Sequence, residues 1–201
     1  IKLPDIVHHL ESILATEGIA YEADAVQIIA RRAEGGMRDA LSILDQALSL
    51  TAGSELTTAI AEEITGSISL AALDQYVAAI LAHDATAALD QLAIIFDNGK
   101  NMARFVTDLL PYIRDLLIVQ TGGENTHNSD LFAANLEADQ ARLFALIDQA
   151  TTSLADIKNS LQPRIYTEMM TIKLAESTSQ VSKSVAVEIP SNVLAQLEDL
   201  K

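Results

Sequence analysis

The sequence predicts an all-α protein, and three observations support that prediction. Apolar residues make up 49% of the 201 residues, but only 4% are aromatic and there is no Trp. The apolar residues are mainly Ala, Leu and Ile; Ala and Leu are strong helix formers, whereas the aromatic residues that favour strands are scarce. Apolar residues also recur at the spacing of one helix face along most of the chain. These features predict a small bundle of three or four helices followed by a larger helical domain.

Residues 1–66 are expected to form the small bundle. Its first helix has Pro4 and Asp5 in the first turn, where a fixed φ angle and a negative charge suit a helix N-terminus. Glycines or glycine-containing turns stop the successive helices. The expected helices span residues 4–17, 21–33, 37–50 and 57–64. Short helices of this number suffice for a compact domain.

Residues 67–177 are expected to form the larger domain from longer helices, and Pro111 is expected to bend one of them. The expected helices span residues 68–82, 85–96, 101–119, 136–161 and 162–176. After residue 177 the chain becomes polar and loses its apolar stripe. Residues 178–201 are therefore predicted to be a linker and C-terminal tail that is disordered or forms a short helix.

The charge balance excludes one class of function. The formal net charge is −15, and none of the three segments is basic. Because nucleic-acid binding requires Lys and Arg to neutralise phosphates, the chain is not expected to be a principal DNA-gripping surface. No apolar run approaches the roughly 18 residues of a membrane span, and there is neither a signal peptide nor a Cys. We expect a soluble cytoplasmic protein without membrane contacts.

The sequence contains no self-contained catalytic or metal-binding pattern. His8 and His9 are adjacent, so on a helix they point about 100° apart and do not clamp one metal ion. The nucleophile motif GxSxG, the phosphate loop GxxxxGK[ST] and the dinucleotide motif GxGxxG are absent from the sequence. We therefore expect no catalytic residue, no metal and no cofactor bound by this chain alone.

The stretch AEGGMRDALS at 33–42 contains the one candidate binding residue. Gly35 suits the left-handed position after a helix, and Gly36 suits the N-cap of the next. Arg38 then lies in a first turn, where the helix dipole disfavours a cation by a few tenths of a kcal/mol. Two interpretations remain open from these residues: a surface arginine paired with Asp39, or a guanidinium that binds an anion, typically a phosphate, at a helix N-terminus.

The longer run AEGGMRDALSILDQAL at 33–48 closely resembles a segment of the bacterial DNA polymerase III gamma/tau family of AAA+ clamp loaders. In that family the arginine at the position of Arg38 is the sensor 2 residue. Residues 6–36 also resemble the family's lid domain, and LTTAIAEEITG at 56–66 resembles its end. Residues 67–177 match the family's third domain more loosely, and Gly36 stands where the family often has Ser.

The resemblance implies a division of labour. The family's first domain holds the phosphate loop and binds ATP with Mg, and it is expected to be missing from this chain. The chain is then no enzyme by itself, although the full-length protein is an ATPase subunit of the polymerase holoenzyme. Arg38 would approach the ATP phosphates and couple the nucleotide state to the lid. The third domain would form a collar with other clamp-loader subunits, while missing domains would contact the sliding clamp and primed DNA.

Two further expectations concern partners and alternatives. The collar interface is expected on apolar helix faces, unless these stripes simply form the core; the candidates are Phe105, Leu109, Tyr112, Leu116, Leu143 and Ile147. Two other functions remain open. The chain could be the lid and helical domain of a different AAA+ ATPase, such as a helicase loader, or an acidic helical adaptor without a nucleotide role.

Overall fold

The computed structural model describes residues 1–51, 53–123 and 135–177. The all-α prediction is confirmed, because nine α-helices and no strands longer than a single bridge occur within these ranges. The helices are α1 (Leu3–Glu17), α2 (Ala23–Arg32), α3 (Met37–Thr51), α4 (Thr58–Thr65), α5 (Leu70–Leu81), α6 (Ala85–Asp97), α7 (Met102–Gln120), α8 (Gln140–Asn159) and α9 (Pro163–Glu176). The largest departure from expectation is α8, which begins at Gln140 rather than 136. The prediction for residues 178–201 lies outside the described residues.

Helices α1 to α4 pack around one apolar core, and we refer to them as the small bundle. The α1–α2 connection and the α3–α4 connection are joined by an isolated parallel bridge between Tyr21 and Leu56. Leu56 donates its backbone N–H to Ala20 O at 2.8 Å, and Glu22 donates to Leu56 O at 3.0 Å. The Glu22 carboxylate also accepts the backbone N–H of Thr58 at 2.6 Å, which ties the start of α2 to the start of α4.

Helices α5 to α9 pack around a second apolar core, and we refer to them as the large bundle. Helix α8 packs against both α7 and α9, and α9 also packs against α6. In the core of the large bundle the rings of Tyr76 and Phe105 pack edge to face, with centroids 4.9 Å apart. Helix α7 is nineteen residues long and contains Pro111 within it, and the bend expected at Pro111 stays a prediction.

A buried polar cluster anchors the segment that leads into α8. Tyr112 Oη donates to Asp74 Oδ1 at 2.5 Å, and Asn135 Nδ2 donates to the same carboxylate oxygen at 2.9 Å. The Asn135 amide also lies 2.9 Å from Tyr112 Oη. Burial and the neighbouring Asp74 carboxylate raise the pKa of Tyr112 well above its usual range, so the phenol stays protonated. The cluster supplies partners for polar groups that would be costly to bury alone.

The residues predicted to form the collar interface lie in the core of the large bundle and not on its surface. Their side chains point into the large bundle because each apolar stripe faces the neighbouring helices of the same bundle. Five of them are at most 1% exposed, and the sixth packs partly buried against the same core: Phe105, Leu109, Tyr112, Leu116 and Leu143, then Ile147.

The small and large bundles have separate cores, since no buried apolar residue among those described belongs to both clusters. Among the described residues, no single helix has the length and apolar character to cross a membrane. The pair α4 and α5 reaches that threshold only when the two are taken together, across a bend of 77°.

Candidate functional site

The candidate site is the turn between α2 and α3, at one end of the small bundle. Helix α2 finishes with Arg31 and Arg32 in its last turn, where the negative end of the helix dipole favours cations. The chain then reverses through two residues with positive φ angles, Glu34 at 48° and Gly35 at 89°. The left-handed conformation expected for Gly35 is therefore confirmed, and Glu34 adopts it as well, which is uncommon for a residue with a side chain.

Gly36 follows in a position where a side chain would be crowded. Its carbonyl accepts the N–H of Ala40 at 3.0 Å, which makes Gly36 the N-cap of α3. A Cβ atom added to Gly36 would lie 2.5 Å from Asp39 Oδ2 and 3.2 Å from Ala33 O. The glycine therefore leaves room for the Asp39 carboxylate to fold back over the start of α3, where a negative charge stabilises the helix N-terminus.

Arg38 projects from the first turn of α3 into solvent. No hydrogen bond or ion pair engages its guanidinium within the described part of the chain. Its backbone is held in place, because its carbonyl accepts the Ser42 hydroxyl at 2.9 Å. The ion pair with Asp39 that one interpretation of the sequence requires does not form, since that carboxylate lies near Gly36 instead. The arrangement leaves five guanidinium donors available to an external anion.

An open groove lies beside this turn, between the end of α2 and the outer face of α3. It has a volume of about 490 Å³ and a mixed polar lining: Arg32, Ala33, Glu34, Asp39, Ser42, Ile43, Gln46 and Ile64. The groove contains one cation against two carboxylates, so it is no anion pocket in itself. Among the described residues, no group of three or more His, Asp or Glu side chains is arranged to hold a metal ion.

Two family models match the chain. The model for the ATPase lid domain of a DNA polymerase III clamp-loader subunit matches residues 5–53. The model for domain III of the DNA polymerase III subunits gamma and tau matches residues 56–189, which is more than half of the chain. The chain belongs to the gamma/tau family of DNA polymerase III clamp-loader subunits. The resemblance noted from the sequence is thereby confirmed.

Individual gamma/tau proteins resemble the chain along most of its length. The DNA polymerase III subunit tau of Bacillus subtilis is 30% identical over 201 residues, covering 96% of this chain and 36% of the relative. The gamma/tau subunit of Mycobacterium tuberculosis is 26% identical over 199 residues, covering 94% and 34%. The tau subunit of Escherichia coli K12 is 47% identical over 60 residues, covering 30% and 9%. The chain therefore spans about a third of the length of the first two.

The family models and the cores divide the gamma/tau chain slightly differently. The lid model ends at residue 53 and the domain III model begins at 56, which places α4 with the later domain. The apolar contacts place α4 with α1 to α3, because Ala61 is buried in the first core and Ile60 and Ile64 pack against it. Helix α4 thus closes the small bundle physically and leads directly into the large bundle.

An exposed apolar stripe on α9 is a feature that the sequence analysis missed. Ile165, Met169 and Ile172 are 48%, 48% and 37% exposed and follow the spacing of one helix face. The opposite face of α9 is buried and contains Thr167 and Thr171. Apolar residues lie on both faces of α9, because Met170 and Leu174 are buried beside the threonines, and sequence periodicity therefore does not single out an exposed apolar stripe.

Proposed function

We propose that the small bundle is the nucleotide-sensing lid of a gamma/tau subunit and that Arg38 is its sensor. The observation that carries this proposal is the unpartnered guanidinium at the start of α3. A cation at a helix N-terminus is unfavourable by a few tenths of a kcal/mol, and no internal partner among the described residues offsets that cost. An external phosphate would offset it, because a guanidinium binds two phosphate oxygens at once and the helix N-terminus attracts the same charge.

The start of α1 lies beside the same turn. The backbone nitrogen of Ile1 donates to Gly35 O at 3.1 Å, close to the start of α3. In the proposed subunit a separate ATPase domain holds ATP and Mg, and the lid closes over the nucleotide with Arg38 facing the phosphates. Contact between Arg38 and the phosphates stabilises the closed arrangement only while ATP is bound, which couples nucleotide state to lid position.

Loss of ATP-dependent clamp loading by Arg38→Ala in the full-length subunit tests this role. The variant is expected to keep its fold, because the Arg38 side chain is exposed and makes no hydrogen bond or ion pair with the described part of the chain. Lys158→Ala is a matched control, since Lys158 is an exposed cation at the far end of α8. Unchanged loading in Arg38→Ala would overturn the sensor assignment. The 201-residue chain alone is expected to bind ATP weakly or not at all, because its sequence has no phosphate loop.

We also propose that the large bundle is the collar domain and joins this subunit to other clamp-loader subunits. The family assignment supports a place in such an assembly, and the outer face of α9 supplies a surface for it. Isolated exposed apolar residues are ordinary, but three on one helix face form a contiguous stripe. A neighbouring subunit that covers Ile165, Met169 and Ile172 would remove this apolar area from water.

In this proposal the sliding clamp and primed DNA are contacted by other parts of the subunit. The net charge of −15 supports that division, because a surface of this sign repels the phosphate backbone. The family assignment argues against the lid of a different AAA+ ATPase. An acidic adaptor without a nucleotide role differs from the proposed lid in the effect of Arg38→Ala, which would leave an adaptor unchanged.

A further inference from the structure

A stripe of charged residues runs along one face of α7. Lys100 precedes the helix, and Arg104, Asp108 and Asp115 follow at intervals that return to the same side of a helix with 3.6 residues per turn. Charged residues on one helix face usually lie in solvent. Here the side chains of Arg104 and Asp108 are only 22% and 15% exposed, and that of Asp115 is 1% exposed. The stripe is therefore largely covered, and its first part contacts α4 and the connection between α4 and α5.

The first half of the stripe holds the connection between α4 and α5. Asp108 Oδ2 accepts the backbone N–H of Ile68 at 3.0 Å. Arg104 pairs with Asp108 through Nη2 and Oδ1 at 2.9 Å and donates from Nη2 to Ser67 Oγ at 3.3 Å. Lys100 Nζ donates to the carbonyl of Glu62 on α4 at 3.0 Å. Three groups of α4 and the connection after it thus contact Lys100, just before α7, and Arg104 and Asp108 on α7.

The second half of the stripe faces α2. Burial lowers the pKa of Arg31, and the Asp115 carboxylate is the charge that opposes this lowering most strongly. Asp115 Oδ1 also accepts from the neighbouring Arg114, at 2.9 Å from Nε and 2.5 Å from Nη2. Arg31 stands in the last turn of α2, immediately before the turn that leads to Arg38. The same helix therefore meets α7 and positions the candidate sensor.

The chemistry of this junction differs from that of the two bundles it joins. Each bundle is held by its own apolar core, whereas the contacts that join them in the described part of the chain are single hydrogen bonds and a charge interaction between Arg31 and Asp115. Single hydrogen bonds contribute little net stability compared with the burial of an apolar core, so the junction opens more easily than either core does. The small bundle can therefore separate from α7 as a unit while both cores stay intact.

We propose that the charged stripe of α7, formed by Lys100, Arg104, Asp108 and Asp115, is a seat for the lid. The seat sets the angle between the Arg38 turn and the large bundle, and the lid leaves and re-enters it as a rigid body. This inference rests on the proposed function for its consequence: a lid drawn towards bound ATP by Arg38 shifts on its seat and transmits that movement to the collar domain. The existence of the seat, however, is testable without nucleotide.

Distances between spin labels on the two bundles report whether the small bundle stays in contact with the charged stripe of α7. The sequence has no Cys, so labels attach only to the cysteines that are introduced. Exposed positions on α1 and α8 give a pair across the junction, Ser12→Cys with Thr151→Cys. A pair within the large bundle, Asp90→Cys with Thr151→Cys, is the reference for its integrity. Pulsed electron resonance on the 201-residue chain then reports the distribution of each distance.

The test compares the parent labelled chain with the double variant Asp108→Asn and Asp115→Asn. We expect a narrow distribution across the junction in the parent and a second, longer population in the variant. That population should rise by roughly fivefold, the factor that corresponds to about 1 kcal/mol. The distribution within the large bundle should stay unchanged. Glu168→Gln is the matched control, because it breaks the exposed pair with Arg164 inside α9 and touches no residue of the seat.

Identical distributions across the junction in the parent and in the folded double variant would overturn the seat. If the double variant loses its fold, the reference pair broadens as well, and a second variant decides. Lys100→Gln with Arg104→Gln weakens the partly exposed end of the stripe without leaving Arg31 unpaired, and the same longer population is expected. Arg38→Ala should leave every distance unchanged in this chain. Failure of the seat is thus distinct from failure of the proposed sensor.

Discussion

Asp108 on α7 accepts the backbone N–H of Ile68, the third residue after the end of α4, at 3.0 Å. This contact spans 40 positions of sequence and joins the two bundles at the point where the chain passes between them. Arg104 pairs with the same carboxylate and orients it. These contacts hold the connection between the two bundles against α7, and we refer to them as the joint.

Asp108→Ala is expected to destabilise the chain by about 1–3 kcal/mol, because it leaves the N–H of the buried Ile68 without its acceptor. Urea unfolding followed by circular dichroism measures this loss. Asp148→Ala on the exposed face of α8 is the control and should change stability by less than about 0.5 kcal/mol. Equal midpoints for the two variants would show that the contact contributes nothing to the joint.

The raised pKa of Glu62, whose carbonyl contacts Lys100 at the same joint, predicts that the free energy of unfolding depends on pH. Burial raises the pKa of its carboxyl, although Lys100 acts in the opposite direction. A carboxyl with a raised folded pKa contributes stability that is present below its unfolded pKa and is lost as the pH rises through the folded pKa. Glu62→Gln is therefore expected to raise the neutral-pH stability relative to the parent chain, and the difference should vanish in acid. Unfolding curves at a series of pH values measure it.

The neighbouring Glu63→Gln is the control for Glu62→Gln, because Glu63 is exposed on the same helix. It should show little difference from the parent chain at any pH. A loss of stability at neutral pH in Glu62→Gln would mean that attraction to Lys100 outweighs the burial of the carboxylate.

Substitutions on the exposed face of α9 are expected to weaken assembly with other subunits without unfolding the chain. Met169→Asp with Ile172→Asp places charges at positions that are half exposed, so the chain is expected to keep its helical content and nearly all of its stability. Association with other clamp-loader subunits should weaken by at least tenfold, since burying unpaired carboxylates in an interface is costly. Sedimentation of mixed subunits measures the association, and Thr151→Asp on the exposed face of α8 is the control.

Much of this fold follows from the sequence because its signals are local. Periodic Leu and Ile residues, glycine stops and N-cap residues such as Ser69, Asp84 and Asn101 act within one or two turns. The helices therefore lie close to their expected positions, and Gly35 has its expected conformation. The motif around Arg38 was also recognisable, since its residues are contiguous.

The exposed stripe on α9 was not predictable from periodicity because this helix has apolar residues on both faces. Thr171 is buried with its hydroxyl 2.8 Å from Tyr76 Oη and donates to Thr167 O at 2.9 Å, so its polar group is satisfied inside the core. The apolar Ile165 and Ile172 remain outside. Sequence spacing alone does not tell which of the two faces is buried, because Met170 and Leu174 supply apolar residues to the inner face as well.

The seat on α7 escaped sequence analysis for a related reason. Charges spaced around one helix face, such as Arg104, Asp108 and Asp115, predict a solvated surface. Only the low exposure of these side chains and the contact of the α4–α5 connection with Asp108 reveal that the charges are covered. Such long-range placement depends on the arrangement of two domains, which no local pattern encodes.

The affinity of the full-length subunit for ATP relative to ADP tests the central claim most directly. A sensor that contacts the terminal phosphate stabilises bound ATP more than bound ADP, and a charge-assisted hydrogen bond of this kind is worth about 1.5–3 kcal/mol. Calorimetric titration of the parent subunit and of Arg38→Ala with each nucleotide provides the ratio. The account predicts that Arg38→Ala weakens ATP binding by at least tenfold and leaves ADP binding nearly unchanged. An equal ratio in the two proteins would contradict it.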